Sequence, residues 1–426
     1  MPVDVTRRGF LTTGAALTGG SILAARAWPG TREDAKMLRF GFIGIGGRGT
    51  GLLQLTLTMG GIEVPAVCDI DPSRLAAAQG ILQAAGRPAP ATYGDRPHAY
   101  RRLLARDDID AVVIATPMQL HAEMAVDALR AGKHVLSEVA AAVTLEQCWD
   151  LVRAVRETGR TYMLAENVCY YRQNLMVREL LSRGVFGDLT YAECGYVHDC
   201  RFLMVQPDGR LTWRGELAKQ CAGNWYPTHS LGPVAQWLDI NGSDRLDRLV
   251  SYSTKSVGLA RYARESLGLP AESVSKDFAG DSNACLIRTR KGRVIDLRFD
   301  VSSTRPTLST TYFSLQGEKA SYEDRFGERI YIEGRSPEHT WESIDPYLTE
   351  FAHPLWTRWH EVADASGHGG ADFYSIQEFA DCLREGRPAP IDVVDAATWS
   401  CIIPLSARSL LAGGEPQEIP DFTQVE

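Results

Sequence analysis

The chain has 426 residues, a formal charge of −8, 44% hydrophobic and 23% charged residues. These fractions exclude a disordered or fibrous chain and leave room for two or three domains with ample core. An excess of 53 Asp+Glu over 45 Lys+Arg argues against nucleic acid as a partner, because phosphate neutralisation needs a basic face. Nine Cys, an odd number with no C-x-x-C spacing, give neither a disulfide framework nor a zinc-finger pattern.

The first segment is expected to be an address rather than fold. Thr6-Arg7-Arg8-Gly9-Phe10-Leu11 is a twin-arginine sequence; a small, apolar run from Thr12 to Ala25 and an Ala25-Arg26-Ala27 cleavage site follow. The run is too short and too Gly/Thr-rich for a stable span. A signal over 1–27 of this kind exports an already folded protein, so the expected location is periplasmic or extracellular, with no membrane association after removal. Cleavage takes the formal charge from −8 to −10.

From Leu38 short apolar strands alternate with amphipathic helices. The spacing predicts strands at Arg39–Ile45, Glu63–Cys68, Asp110–Thr116, His134–Glu138 and Thr161–Glu166. Helices fall between them at Arg48–Met59, Pro72–Ala85, Leu120–Ala131 and Leu145–Thr158. Continuously apolar strands between helices mean a parallel sheet covered on both faces. The texture changes after Asn167. A helix at Asn174–Arg183 leads to a strand region Asp188–Cys200 and a polar, Trp/Tyr-rich stretch to Pro227. Alternating strands then follow at Leu246–Thr254, Ala284–Thr289, Val294–Val301, Tyr312–Leu315 and Ile330–Glu333, and helices at Asp372–Glu385 and Ala396–Leu411 close the chain. The expected architecture is α/β: a Rossmann dinucleotide-binding domain over 38–166 and an α+β domain over 167–426 with an open-faced, mainly antiparallel sheet. That face is expected to meet solvent or a partner, and a homo-oligomer through it is what the resemblance carried by the motifs below implies.

Gly44-Ile45-Gly46-Gly47-Arg48-Gly49 is G-x-G-x-x-G, directly after a strand and opening a helix. The first Gly allows a tight turn, the second a close backbone approach to pyrophosphate, and the third helix-on-strand packing. The helix N-terminus favours the phosphates. Asp69 ends the second strand 20 residues after Gly49. A carboxylate there bonds ribose hydroxyls and repels a 2′-phosphate, so NAD is expected as cofactor, although Arg74 nearby offers an NADP alternative.

Thr116-Pro117-x-x-x-His121 and Gly132-Lys133-His134-Val135-Leu136-x-Glu138 resemble the Gfo/Idh/MocA oxidoreductases. Dehydrogenases of that family usually read Glu-Lys-Pro here, with the Lys near the reacting carbon; this chain reads Glu138-Val139-Ala140. Several further runs are similar to the NAD-dependent glycosidases of glycoside hydrolase family 109. They are Glu166-Asn167-Val168-Cys169-Tyr170, Gly195-Tyr196-Val197-His198-Asp199, Trp213-Arg214, Tyr226-Pro227-Thr228-His229-x-Leu231-Gly232-Pro233, Arg335-Ser336-Pro337 and His368-Gly369-Gly370-x-Asp372. The similarity runs from about Arg39 to Asp421. One departure is that Arg305-Pro306 is followed by Thr307, where the family usually carries a substrate-contacting Tyr; the nearest Tyr is Tyr312.

The resemblance implies a redox-neutral cleavage of terminal N-acetylhexosaminides, with α-N-acetylgalactosaminides as the best fit. The sugar is oxidised at C3 on NAD⁺, the acidified C2 proton is lost, the C1 substituent is eliminated, water adds and the hydride returns. Two proton acceptors are needed instead of the paired carboxylates of ordinary glycosidases. His229 is the candidate for the C3 hydroxyl, and a structural helix-capping His is its alternative. Tyr196 is the candidate for the C2 proton, with His198 as its activator, since a free phenol has a pKa of about 10; a cross-strand aromatic is the alternative. Arg214, Tyr226 and Tyr312 are expected to bind substrate together with Tyr196 and His229. The cofactor set is expected to be Gly44, Gly46, Gly47, Arg48, Gly49, Asp69, Met118, Gln119, Leu120, His121, Glu138, Val139, Asn167 and Tyr226. Glu166 is placed with the catalytic groups, orienting Tyr or substrate, or else is a partly exposed structural carboxylate. His368, His198 and Asp199 fit no standard ligand set, and no metal is expected. The competing functions are a periplasmic NAD(P)-dependent sugar dehydrogenase or glucose–fructose-type oxidoreductase, against which the missing Lys argues, and a non-catalytic sugar-binding module.

Overall fold

The computed structural model describes residues 36–270, 280–306, 310–364, 366 and 368–424. The twin-arginine segment and Thr307 lie outside the described residues. The N-terminal half is a six-stranded sheet, all strands parallel, in the order β3-β2-β1-β4-β5-β6. Its strands are β1 Leu38–Ile43, β2 Ile62–Cys68, β3 Ala91–Tyr93, β4 Ala111–Ile114, β5 His134–Ser137 and β6 Tyr162–Leu164, and its principal helices are α1 Gly47–Thr58, α2 Pro72–Ala84, α3 Tyr100–Leu104, α4 His121–Arg130 and α5 Leu145–Thr158. Every residue of β4 and β6 is buried, as a strand covered on both faces requires. Local chemistry sets the helix ends. Asp71 caps α2 through the Ser73 N–H, with Pro72 in the first turn. Thr144 caps α5 through the Gln147 N–H, and left-handed Gly159 ends it.

The second half is built on a nine-stranded sheet, β14-β13-β12-β11-β7-β10-β9-β8-β15. Its strands are β7 Leu189–Val197, β8 Leu246–Ser253, β9 Ser282–Thr289, β10 Val294–Asp300, β11 Thr311–Gly317, β12 Ala320–Glu323, β13 Arg329–Ile332, β14 Glu342–Ser343 and β15 Gln417–Glu418. The central β7–β10 pair is parallel and its neighbours are antiparallel, so the sheet is mixed, and mainly antiparallel as expected. One face packs on helices, while Tyr252 and Leu286 stand exposed on the other. The helices of this half are α6 Arg172–Ser182, α7 Arg201–Met204, α8 Trp213–Gln220, α9 Thr228–Trp237, α10 Gly258–Leu267, α11 Asp345–Glu350, α12 Pro354–Ala363, α13 Ala371–Glu385, α14 Val393–Ser400 and α15 Ile402–Leu411.

Two expectations need correction. The polar stretch before Pro227 contains α8, capped by Thr212. The helix read over Ala396–Leu411 is two, because Pro404 has no N–H to offer the Ser400 carbonyl and the run breaks at Cys401.

The last helices return to the first domain. Phe379 of α13 packs on Phe40 of β1 with ring centroids 5.7 Å apart. The Ile391 carbonyl accepts the Leu164 N–H at the edge of β6 (3.1 Å), and Ser400 Oγ accepts the Ala141 N–H (3.1 Å). The two sheets are thereby held in fixed relation, and the cleft between them lies at the C-terminal ends of the parallel strands, the ligand edge of such sheets. All nine cysteines are free. Among the described residues no helix is long and apolar enough to cross a membrane.

Candidate active site

A cleft of about 560 Å³ runs from Asp69, Arg74 and Arg96 at one end, past the glycine loop, to Trp213, Arg214, Tyr226 and His229 at the other. Gly44 sits at φ +90°, and a Cβ on Gly49 would lie 2.0 Å from the Gly44 carbonyl oxygen. The loop can therefore fold back on itself only with glycine at both positions. A Cβ on Gly46 or Gly47 would meet nothing within 4 Å, so the backbone at the head of α1 is open to the cleft. Asp69 Oδ2 accepts the Ile45 N–H (2.7 Å) and its Oδ1 the Asp71 N–H (2.9 Å), which fixes the carboxylate at the end of β2. This is the cradle a dinucleotide needs: open glycines at a helix N-terminus and a carboxylate at the ribose position.

Of the other residues expected at the cofactor, Leu120, His121, Glu138, Val139 and Asn167 line the cleft. Met118 is fully buried and Gln119 bonds to Trp213 and Gln147; neither reaches the cleft wall. His121 faces the carbonyls of Ala140 and Thr116, each at 2.8 Å. Burial lowers its pKa against those two acceptors, and it ties the turn after β4 to the segment after β5.

Arg48 does more than open α1. Its guanidinium holds Asp372 of α13 with two bonds (2.6 and 2.8 Å) and Glu138 with a third (2.7 Å). Burial opposes its charge, but the two carboxylates outweigh burial and raise its pKa. Asn167 Nδ2 donates to Asp372 Oδ1 (2.9 Å) and His368 Nδ1 meets Asp372 Oδ2 (2.9 Å). Against burial, the bonds from His368 and Arg48 bring the Asp372 carboxyl well below the usual range. Asp372, 324 residues from Arg48 in the chain, is thus a cleft anchor whose signal in the sequence is no more than its place in the His368-Gly369-Gly370-x-Asp372 run.

Glu166 and His229 form the second carboxylate–imidazole pair, His229 Nδ1 to Glu166 Oε1 at 2.6 Å. Glu166 is fully buried, not partly exposed, and its Oε2 has no partner among the described residues. The room for it comes from Gly232 in α9, where a Cβ would crowd Glu166 Cγ at 3.1 Å. His229 sits in the first turn of α9. With Nδ1–H donated to the carboxylate, Nε2 is left as an acceptor toward the cleft.

The rings of Tyr226 and Tyr196 lie 4.9 and 5.3 Å from that of His229, and 5.2 Å from each other. Tyr226 lines the cleft, whereas Tyr196 packs behind it. Burial pushes both phenols up, and the positive charge of Arg214 works the other way. Arg214 itself stacks over Trp213 at 4.2 Å and makes no ion pair among the described residues.

Two expected pairings are not made. The Tyr196 hydroxyl meets Cys200 Sγ (4.0 Å), while His198, its expected activator, has a buried Nδ1 without a partner among the described residues and meets Tyr196 only ring to edge, 6.0 Å between centroids. The strand has ended at Val197, so the alternation that would put His198 beside Tyr196 no longer holds. Tyr312 is opposite Gly195 in the β11–β7 register, and Tyr196 is opposite Thr311. Tyr312 therefore lies on the other face of the sheet, against Gly195 and beneath Arg325 (4.6 Å), away from the cleft. Among the described residues no group of three His, Cys, Asp or Glu is disposed to hold a metal ion.

Comparison with known proteins matches both halves. Residues 38–166 match the oxidoreductase family NAD-binding Rossmann fold, and 170–426 match the C-terminal domain of glycosyl hydrolase 109. A glycosyl hydrolase family 109 protein of Shewanella amazonensis is 38% identical, covering 99% of this chain and 96% of its own length. Another from Solibacter usitatus is 39% identical, covering 99% and 98%. Among solved structures, a levoglucosan dehydrogenase in complex with NADH and L-sorbose superposes with a TM-score of 0.71 at 20% identity, over 91% of this chain and all of that one. An aldose-aldose oxidoreductase from Caulobacter crescentus superposes at 0.63 and 15% identity, over 90% of this chain and all of that one. At those identities the likeness is one of fold. The NAD cradle, the mixed-sheet domain that closes over it and full-length relatives at well over 30% identity lead to one conclusion: the chain belongs to glycosyl hydrolase family 109, on a Gfo/Idh/MocA-type NAD-binding scaffold.

Proposed function

We propose that the protein is an NAD-dependent exo-glycosidase that cleaves terminal N-acetylhexosaminides, α-N-acetylgalactosaminides above all, through transient oxidation at C3. The observation that carries this reading is the buried Glu166–His229 pair (2.6 Å) opening onto the same cleft as the glycine loop. Bound NAD supplies a reversible hydride acceptor at the sugar. His229 Nε2 takes the proton of the C3 hydroxyl, and Glu166 holds the ring in the tautomer that can do so. Tyr196 is the group assigned to the C2 proton; burial holds its phenol up, and the nearby charge that works the other way is that of Arg214 rather than His198. Arg214 and Tyr226, both in the cleft wall, hold sugar hydroxyls. Val139 occupies the place of the dehydrogenase Lys, so among the described cleft residues no ammonium stands ready to complete a simple alcohol oxidation.

We further propose that the protein works after twin-arginine export. The exposed sheet face around Tyr252 and Leu286 is proposed to pair with a second copy, which sedimentation of a Leu286→Glu variant tests.

The decisive experiment uses an aryl N-acetylgalactosaminide deuterated at C2. A kinetic isotope effect on turnover, with no net NADH release, is expected. Full turnover without an isotope effect, or stoichiometric NADH from free sugar, would overturn the reading, the latter in favour of a sugar dehydrogenase.

A further inference from the structure

His368 is a cleft residue that the proposed chemistry does not use. It belongs to three successive residues at positive φ, His368 (55°), Gly369 (60°) and Gly370 (86°), leading into α13. The turn is pressed against α12, since a Cβ on Gly370 would meet the Ala363 backbone at 2.9 Å. A non-glycine residue in the left-handed region is uncommon and points to a placed side chain. Here the placement puts the imidazole in the cleft wall with Nδ1 on Asp372.

The glycine loop offers phosphate its open backbone and a helix N-terminus, and a cation beside it would add to that hold. Arg48 is the basic residue of the loop, but its guanidinium is shared between Glu138 and Asp372, so it meets two carboxylates with one charge. Arg74 and Arg96 lie at the Asp69 end of the cleft and Arg214 at the Tyr226 end. Among the described cleft residues beside the loop, His368 is the cationisable group with an uncommitted nitrogen, Nε2. The groups facing its ring are Asp372 from its own segment, Arg48 from α1 and Glu138 from the end of β5. The hydrogen bond to Asp372 raises its pKa above the ordinary histidine value.

We infer that His368 is a cofactor clamp, reaching from the C-terminal half over the glycine loop to donate Nε2–H to a phosphate or ribose oxygen of bound NAD and so slow its release. The clamp stands on the cofactor site alone. Its usefulness follows from the proposed redox-neutral cycle, in which the same NAD must be kept from one turnover to the next.

The test reads dinucleotide binding and needs no glycoside, so it can fail without touching the glycosidase reading. NAD⁺ affinity is measured by titration calorimetry, and NADH release from the full-length protein by stopped-flow fluorescence, for wild type, His368→Ala and His368→Gln. His368→Ala is expected to weaken binding roughly ten- to hundredfold, the range of one charge-assisted hydrogen bond, mostly through faster release. His368→Gln keeps a neutral donor and should fall between. Wild-type affinity should decline as pH rises through the imidazole titration, and both variants should lose that slope. An unchanged affinity and release rate in His368→Ala overturns the clamp. His368 is half-exposed and makes one hydrogen bond, so both variants are expected to fold. Should the Ala variant not fold, the pH dependence of the Gln variant decides.

Discussion

Two of the imidazoles that line the cleft, His229 and His368, are each hydrogen-bonded to a carboxylate, and the two pairs are built in opposite ways. Asp372 is saturated: Arg48 takes both its oxygens, Asn167 bonds one and His368 the other. Glu166 is deeper and poorer in partners. It bonds His229 and the Val168 N–H through one oxygen and leaves the other without a partner among the described residues. A carboxylate with every lone pair occupied is a fixed point of the structure. One buried with a single strong partner concentrates its effect on that partner, the arrangement that orients a catalytic base. The two are adjacent in the network, because Asn167 follows Glu166 in the chain and donates to Asp372. The Asp372 side is thus built to hold position, and the Glu166 side is the one to which the proposed function assigns proton transfer.

The largest expected difference between the pairs is in turnover. His229→Ala should lower it by about 10²–10⁴-fold, the range for a lost general base, while NAD⁺ affinity stays close to wild type. Added substrate should then leave bound NAD⁺ unreduced, as read at the NADH absorbance band. A variant that still reduces its cofactor at wild-type rate would remove His229 from the C3 hydroxyl. Next in size is the anchor. Arg48→Met removes the cation from a buried cluster and leaves Glu138 and Asp372 facing each other, and breaking such a pair costs about 3–5 kcal/mol. Denaturant unfolding should show that loss. An Arg48→Met variant as stable as wild type would remove Arg48 and Asp372 as the anchor of the cleft.

The parts of this site that were legible in the sequence are those written locally. The glycine loop, the strand before it and Asp69 fall within one β-α-β unit, and hydrophobic runs fix parallel strands whatever the rest of the chain does. The Tyr226–His229 run was legible as a resemblance. The partners were not. Arg48 and Asp372 are 324 residues apart and Glu166 and His229 are 63 apart, and no periodicity carries such a pairing. Parity was the other failure. Whether Tyr312 shares a face with Tyr196 depends on a one-residue register, which the β11–β7 ladder fixes against it. His198 was misplaced because the strand stops one residue before it. Pro404, by contrast, is legible in the sequence as a helix breaker, although the apolar run around it reads as one continuous helix.

The smallest expected effect sharpens the comparison most, because it is a stability effect of the anchoring pair alone. His368 has a folded-state pKa raised above its unfolded value near 6.5 by the bond to Asp372. The folded state therefore binds the proton more tightly, and the resulting stability is fully present below the unfolded pKa and is lost as pH rises through the folded one. The pair is half-exposed on the imidazole side, so solvent screens it and the contribution is under about 1 kcal/mol. Thermal melts of the NAD-free protein from mildly acidic to mildly alkaline pH should show wild type losing a small increment relative to His368→Ala as pH rises. The difference between the two should vanish at the alkaline end. A difference that grows with pH would mean that His368 is held neutral in the fold, with Asp372 accepting from a half-buried imidazole that has no positive charge to offer a phosphate.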